Sequence, residues 1–244
     1  MPAERTALER RYKAALQQAE SRGTRPAVEA FEAATRGTKA VMARPLRELD
    51  RLASSDKELF PTYYSLIQGE VRLPHGNEWD LLRALADTAL FPGDKKENVR
   101  FAALSLDGSS LPHYGECSFV FKESMIAHRT SVYEENSAVF LKKHAYTPPP
   151  GYRATWEERV KLAVAKLGGG IDAITSPSQL ADALLGPGAT PEEDRFIEVH
   201  IWGPMSIRTV ERVSVTAPIK GPRSVRKAIR DRLKAVGLSL EELA

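Results

Sequence analysis

The chain has 244 residues, 42% hydrophobic and 27% charged, and a formal net charge of only +3, so it is neither a polycation nor a low-complexity chain. A single cysteine, Cys117, excludes an internal disulfide and any cysteine-rich zinc module. No stretch approaches the roughly 18 uninterrupted apolar residues of a membrane span, and the N-terminus lacks an apolar signal-peptide core, so the expected compartment is the cytoplasm, with export by a signal-less route left open.

Residues 3–22 carry Leu8, Tyr12, Ala15 and Leu16 at helical spacing among charges, which predicts an amphipathic helix. A second helix over 26–36 opens with Pro26 and stops near Gly37. DKELFPTYYSLIQGE (56–70) and NEWDLLRALADTALF (77–91) read as two more. In the latter Asn77 is the expected N-cap, Asp80 stands three residues on, and Leu81, Leu82 and Leu85 share a face. The turn-rich FPGDKKEN (91–98) then breaks the helical pattern.

Beyond it the pattern turns to strands: VRFAALSLDG (99–108), ECSFVFKE (116–123) and, after a short helix or turn in SMIAHRTS (124–131), SAVFLKKH (137–144). TPPPGY (147–152) is a polyproline-like connector. ATWEERVKLAVAKLG (154–168) reads as a helix ended by Gly168–Gly170, and SPSQLADALLG (176–186) as a helix capped by Ser176 and stopped by Gly186. A loop, LLGPGATPEED, leads to RFIEVHIW (195–202), with RTVERVSVTAP (208–218) as its expected partner strand and a helix over 222–236 to close. The implied fold is α+β: a helical N-terminal region, 1–92, packed on a region, 93–244, built around a mixed, mostly antiparallel sheet.

Several chemistries lack their motifs. The glycines of KLGGGID follow a helix rather than a strand, and no Lys-Ser/Thr follows them, so they are not a phosphate loop. The five histidines, His75, His113, His128, His144 and His200, show no HExxH or His-x-His spacing, so no metal is expected. There is no Gly-x-Ser-x-Gly elbow.

Two features remain. On the closing helix Arg223, Arg226, Lys227, Arg230 and Lys234 lie on one side, with Val225, Ile229 and Val236 on the other. That is either a phosphate-binding face for nucleic acid or a phosphorylated cofactor or a solvated face of cations favoured near a helix C-terminus. The second feature is the strand 195–202, where Ile197, Val199 and Ile201 point one way and Phe196, Glu198, His200 and Trp202 the other. Two ionisable groups between two large aromatics suit either a solvent face or the floor of a cleft in which a carboxylate meets developing positive charge.

The segment RFIEVHIWG resembles the last motif of ADP-ribosyltransferase-type folds, in which a Glu on a central strand is catalytic. It is closer still to a bacterial family of unassigned function with a strand of the form Tyr-Ile-Glu-Ala-Gln-Val-His-Gly. FAALSLDG (101–108), HYGECSFVFK (113–122) and HRTSVYEENS (128–137) follow that family's order, so the resemblance spans about residues 99–216. It implies an NAD-consuming enzyme, a bacterial toxin or effector, with NAD as co-substrate and a protein or nucleic acid as acceptor. Glu198 would stabilise the transition state as nicotinamide leaves, Ser131 would position Glu198 or the ribose, and His200 would orient the acceptor or donate a structural hydrogen bond. Arg100 would hold the pyrophosphate or adenosine ribose, Arg129 would bind the cofactor as part of the Arg129-Thr130-Ser131 element matching the second-strand motif, and Tyr133, Phe196 and Trp202 would stack on nicotinamide. Each has a structural alternative: Arg100 paired with Glu97, Arg129 capping a helix, Ser131 in a turn.

One departure matters. Arginine-modifying relatives carry Glu-x-Glu, and Phe196 stands at the first of those positions, which disfavours arginine as acceptor. The helical N-terminal region would neutralise, deliver or position the catalytic part, or a separate partner protein would neutralise it. The other classes left open are a nucleic-acid-binding regulator using the basic helix and an inert binding module of the same fold.

Overall fold

Eight short runs that favour a pleated surface pair edge to edge into one sheet, and the helices between them cover its two faces. The computed structural model describes residues 2–68, 78–91, 93–190, 193–216 and 223–242. In chain order these form α1 (Pro2–Ser21), α2 (Arg25–Thr35), β1 (Lys39–Arg44), α3 (Leu46–Ser54), α4 (Tyr63–Gln68), α5 (Glu78–Leu90), β2 (Val99–Ser105), β3 (Cys117–Phe121) and α6 (Glu123–Ile126). There follow β4 (Thr130–Tyr133), α7 (Ser137–Lys143), β5 (Arg153–Thr155), α8 (Arg159–Leu167), α9 (Pro177–Leu185), β6 (Glu198–Trp202), β7 (Val210–Val215), α10 (Arg223–Ala235) and β8 (Leu240–Glu242). The sheet order is β5-β4-β6-β2-β1-β3-β7-β8, antiparallel throughout except for β7 with β8. Among the described residues no helix is long and apolar enough to cross a membrane.

Alternation gives the sheet two different faces. Ala40, Met42, Ala102, Leu104, Phe119, Phe121, Val199 and Ile201 bury into the main core with Leu8, Phe31, Leu52, Leu162, Ile229 and Leu233 from α1, α2, α3, α8 and α10. Each large side chain removed from water here contributes about 1.5–3 kcal/mol. The opposite face carries Phe101, Glu198 and His200 and is covered by α5 and α7, which hold each other through Leu82, Ala86, Ala138 and Leu141.

Start and stop signals are obeyed where they are local. Ser176 accepts from the Gln179 amide in a full capping box, and Gly186 ends α9 at φ 45 in the left-handed region. Pro26 sits in the first turn of α2, and Gly168–Gly170 form the turn that ends α8. The expected cap Asn77 and His75 lie outside the described residues.

Five expectations are corrected. The first 90 residues are not all helical: β1 lies in them, inserted between β2 and β3, so the stretches 1–92 and 93–244 share one sheet. Of the helix expected over 56–70, residues 63–68 form α4 and 56–62 do not join it, because Pro61 biases Phe60 to extended backbone and the Phe60 amide instead donates to Met205 O at 2.8 Å, while 69–70 lie outside the described residues. The strand expected at 137–144 is α7: the Asn136 side chain accepts from the Ala138 amide at 3.1 Å, and Ser137, Ala138, Phe140 and Leu141 bury at helical spacing. On α5, Leu82 is buried, but Leu81 and Leu85 are 63% and 45% exposed. Finally, β7 does not pair with β6. Gly203, at φ 77, ends β6, and the chain then crosses the sheet end to pair β7 with β3, three strands away.

Candidate functional site

The register of β6 decides which side chains meet. Glu198 lies opposite Ala103 on β2 and Tyr133 on β4, and His200 opposite Phe101 and Ser131. Directly paired residues point to the same face, so these side chains share the α5/α7 side. Arg100 and Thr130 pair with Ile201 and therefore point to the main core side.

Glu198 is 2% exposed. Its Oε2 accepts from the Ser137 amide at 2.9 Å and faces His200 Nε2 at 2.9 Å, and its Oε1 is 3.3 Å from Arg83 Nη1. Burial works against the charge, but the Arg83 cation and the bonds from His200 and Ser137 outweigh it and hold the pKa down to about 2. Burial pushes the His200 pKa down more than Glu198 raises it, so the ring is neutral. An ionised carboxylate only accepts, so His200 Nε2 carries the proton and donates. Its Nδ1 is left with a lone pair and no hydrogen-bond partner among the described residues. Phe91 and Phe101 meet the ring edge-on at 5.2 and 5.3 Å, and Tyr133 stacks on it at 5.5 Å. His200 is fully buried in this aromatic box and holds Glu198 from behind.

Arg83 and Asp87 come from α5, one turn apart. Arg83 Nε is 3.2 Å from Asp87 Oδ2 and Nη2 is 3.0 Å from Oδ1. Tyr64 donates to Asp87 Oδ2 at 2.8 Å. The Arg83 guanidinium lies over Phe101, 3.6 Å from the ring centroid. Beside this network opens a cleft of about 150 Å³, lined by Arg44, Tyr63, Phe101, Tyr114, Asn136, Phe196, Glu198 and Arg83 among others. Tyr114 packs edge-on to Phe196 at 6.4 Å. Burial and the charges of Asp194 and Glu198 push its phenol pKa up, so it stays a neutral hydroxyl. Gly115 places that turn: at φ 141 a side chain would meet the Arg44 backbone at 2.2 Å. The loop before β6 is tied at its base, with Arg195 N to Gly186 O at 2.7 Å and Gly188 N to Asp194 Oδ1 at 2.8 Å.

The structure brings Glu198, His200, Phe196, Ser131 and Tyr133 to one face, but not all to one cleft. Ser131 Oγ accepts from Arg153 at 3.1 Å and does not touch Glu198. Tyr133 is buried against His200, and Trp202 packs edge-on to Phe91 at 5.1 Å. Arg100 and Arg129 do not join Glu198. Arg100 donates to Phe60 O and Gly203 O, each at 2.7 Å, rather than pairing with Glu97. Arg129 donates to Trp202 O at 2.6 Å, Pro204 O at 2.9 Å and Met125 O at 3.1 Å, the last a carbonyl of α6. Both fasten backbone at the sheet end, so neither is placed to hold a pyrophosphate beside Glu198. On α10, Ile229 and Leu233 are buried; Arg230 pairs with Glu242 and Arg232 with Asp50, while Lys227 and Lys234 are exposed and Arg226 is partly buried. Arg223 opens that helix.

Arg83, Asp87, Tyr64, Tyr114 and the Ser137 amide were not visible as site groups in the sequence. Arg83 and Asp87 at i, i+4 look like an ordinary surface ion pair, and only their burial sets them apart. No protein-family model matches the chain, and no curated protein matches it either.

Proposed function

We propose that this protein breaks a bond between a ribose and a cationic nitrogen heterocycle, the nicotinamide–ribose bond of NAD, with Glu198 as the key carboxylate, and passes the ribosyl group to an acceptor or to water. The observation that carries the reading is Glu198 itself: an ionised carboxylate, buried and fixed by three neighbours, at the edge of a cleft walled by Phe101, Phe196, Tyr63 and Tyr114. In the reaction the C1′–N bond breaks, its electron pair stays on the nicotinamide nitrogen, and the new bond forms from the acceptor atom to C1′ while the acceptor's proton leaves to solvent. Glu198 would stabilise the positive charge that develops on the ribose, and a fixed anion in a water-poor site does so without reorganising. His200 would keep the carboxylate oriented rather than exchange protons with substrate, because aromatic rings wall it in.

The chain fits one end of NAD better than the other. The cleft is smaller than the roughly 300–1,000 Å³ that encloses a drug-sized ligand, so it would take the reacting ring and leave the rest outside. Arg100 and Arg129, committed to backbone carbonyls, take no phosphate-facing role in this proposal.

The test is release of nicotinamide from NAD by the purified protein beside Glu198→Gln, with and without cell extract as a source of acceptor. The expected result is release by the native chain that falls at least about a hundredfold in the variant. No release under either condition would sink the proposal.

A further inference from the structure

Arg83 presents an unusual way of meeting Glu198. Its guanidinium lies flat on Phe101 at 3.6 Å from the ring centroid and reaches Glu198 Oε1 with Nη1 alone, at 3.3 Å. Its other nitrogens are held at 3.2 and 3.0 Å by Asp87, one turn along the same helix. Arg83 is thus anchored on α5 and leans into the cleft, with only one prong on Glu198. A guanidinium is planar, delocalised and weakly hydrated, and both an aromatic face and a carboxylate attract such a cation. One guanidinium serves two buried carboxyl groups, Asp87 and Glu198. The helix that brings Arg83 rests on α7 through a small cluster separate from the main core.

We propose that the face of Phe101 and Oε1 of Glu198 form a seat for a planar organic cation, a pyridinium or a guanidinium, and that Arg83 fills this seat from within the molecule as an internal competitor. The identification of the incoming cation as a substrate ring rests on the reading of Glu198 given above; the seat itself does not. An incoming pyridinium would take the place of Arg83 over Phe101. Arg83 would stay paired to Asp87 and move aside with its helix. The arrangement would keep Glu198 charge-compensated until a cation of the right shape arrives. It would also reject neutral rings, which cannot replace the charge they displace.

The probe is 1-methylnicotinamide, a stable pyridinium with no sugar to cleave, titrated calorimetrically into the native chain and two variants. Arg83→Gln with Asp87→Asn removes the competitor and neutralises its anchor, leaving Glu198 held by His200 and the Ser137 amide. Arg83→Lys keeps a positive charge beside both carboxylates, but an ammonium on a flexible stem cannot lie flat on a ring. The double variant is expected to bind the probe at least about tenfold more tightly than the native chain, with a smaller gain in Arg83→Lys. Adding Phe101→Leu is expected to abolish the gain, and uncharged nicotinamide to show none. Equal affinity, or no binding, in native and folded variant proteins would overturn the seat. If the double variant does not fold, Arg83→Lys decides by the same comparison. Nicotinamide release from NAD, measured on the same proteins, separates the two ideas. A gain in cation binding with no release anywhere leaves the seat standing and removes the enzyme reading. Release that depends on Glu198, without any gain in binding, removes the seat and leaves the enzyme.

Discussion

Glu198 and His200 are the residues whose ionisation the fold changes most consequentially. Glu198 in the folded chain has its pKa held near 2, below the 4.5 of an unperturbed carboxylate, so its interactions stabilise the fold above pH 4.5 and are lost as pH falls from 4.5 towards 2. His200 is also depressed: unfolded it binds a proton near its ordinary 6.5, folded it resists. Stability therefore starts to fall as pH drops below 6.5. In both cases the unfolded chain binds more protons, so the two effects add. Urea unfolding is expected to show a midpoint that declines from pH 7 to pH 5, with His200→Gln flattening that part of the curve and Glu198→Gln flattening the part below 4.5. A midpoint independent of pH between 7 and 4 would contradict the buried, neutral His200. The sequence placed these two side chains on one face together, because period-two alternation is local. It could not tell a cleft from a solvent face, since that depends on α5 and α7 arriving from elsewhere in the chain.

At the scale of elements, helix starts can be separated into those that only stabilise and those that also build the site. Asn136 caps α7 by accepting from the Ala138 amide, and the next residue, Ser137, gives its amide to Glu198. Ser176 caps α9 by the same device, among exposed residues. Asn136→Ala and Ser176→Ala are each expected to cost about 0.5–2 kcal/mol of stability, measured by thermal or chemical unfolding. Only Asn136→Ala is expected to lower turnover at Glu198 as well, because it loosens the amide that orients the carboxylate. Equal activity in both variants would show that the α7 start does not support the site. The capping box of α9 was legible because its residues lie within one turn. The α7 start was not: SAVFLKKH is a short apolar run, which periodicity assigns to strand or helix with equal ease, and the decision fell to a cap and to packing on α5.

The whole molecule turns on β1. It joins β2 to β3 at the centre of the sheet, although it comes from the part of the chain read as helical. Removing residues 1–92 would leave two buried strands with unpaired backbone groups and strip Leu8, Phe31 and Met42 from the core. The 93–244 fragment alone is therefore expected to show no cooperative unfolding and poorly dispersed amide resonances, while the full chain shows both a sharp transition and wide dispersion. A fragment that folds by itself would mean that the two stretches are independent domains. Arg83 belongs to this scale too, since it enters the Glu198 cleft from a helix 115 positions earlier in the chain.

By itself the sequence determined what local chemistry determines: the amphipathic helices at either end, the capped start and glycine stop of α9, and the alternation that gives β6 an aliphatic face and a polar aromatic one. It also marked Glu198 as the carboxylate worth following. Only the tertiary structure decided that β1 sits mid-sheet, that three strands separate β7 from β6, and that Arg100 and Arg129 fasten backbone carbonyls while Arg83 meets Glu198. The physical reason is the same in each case. Period and capping act over a few residues, whereas register, strand order and the company a buried charge keeps are set by contacts between segments far apart in the chain, which no local pattern encodes.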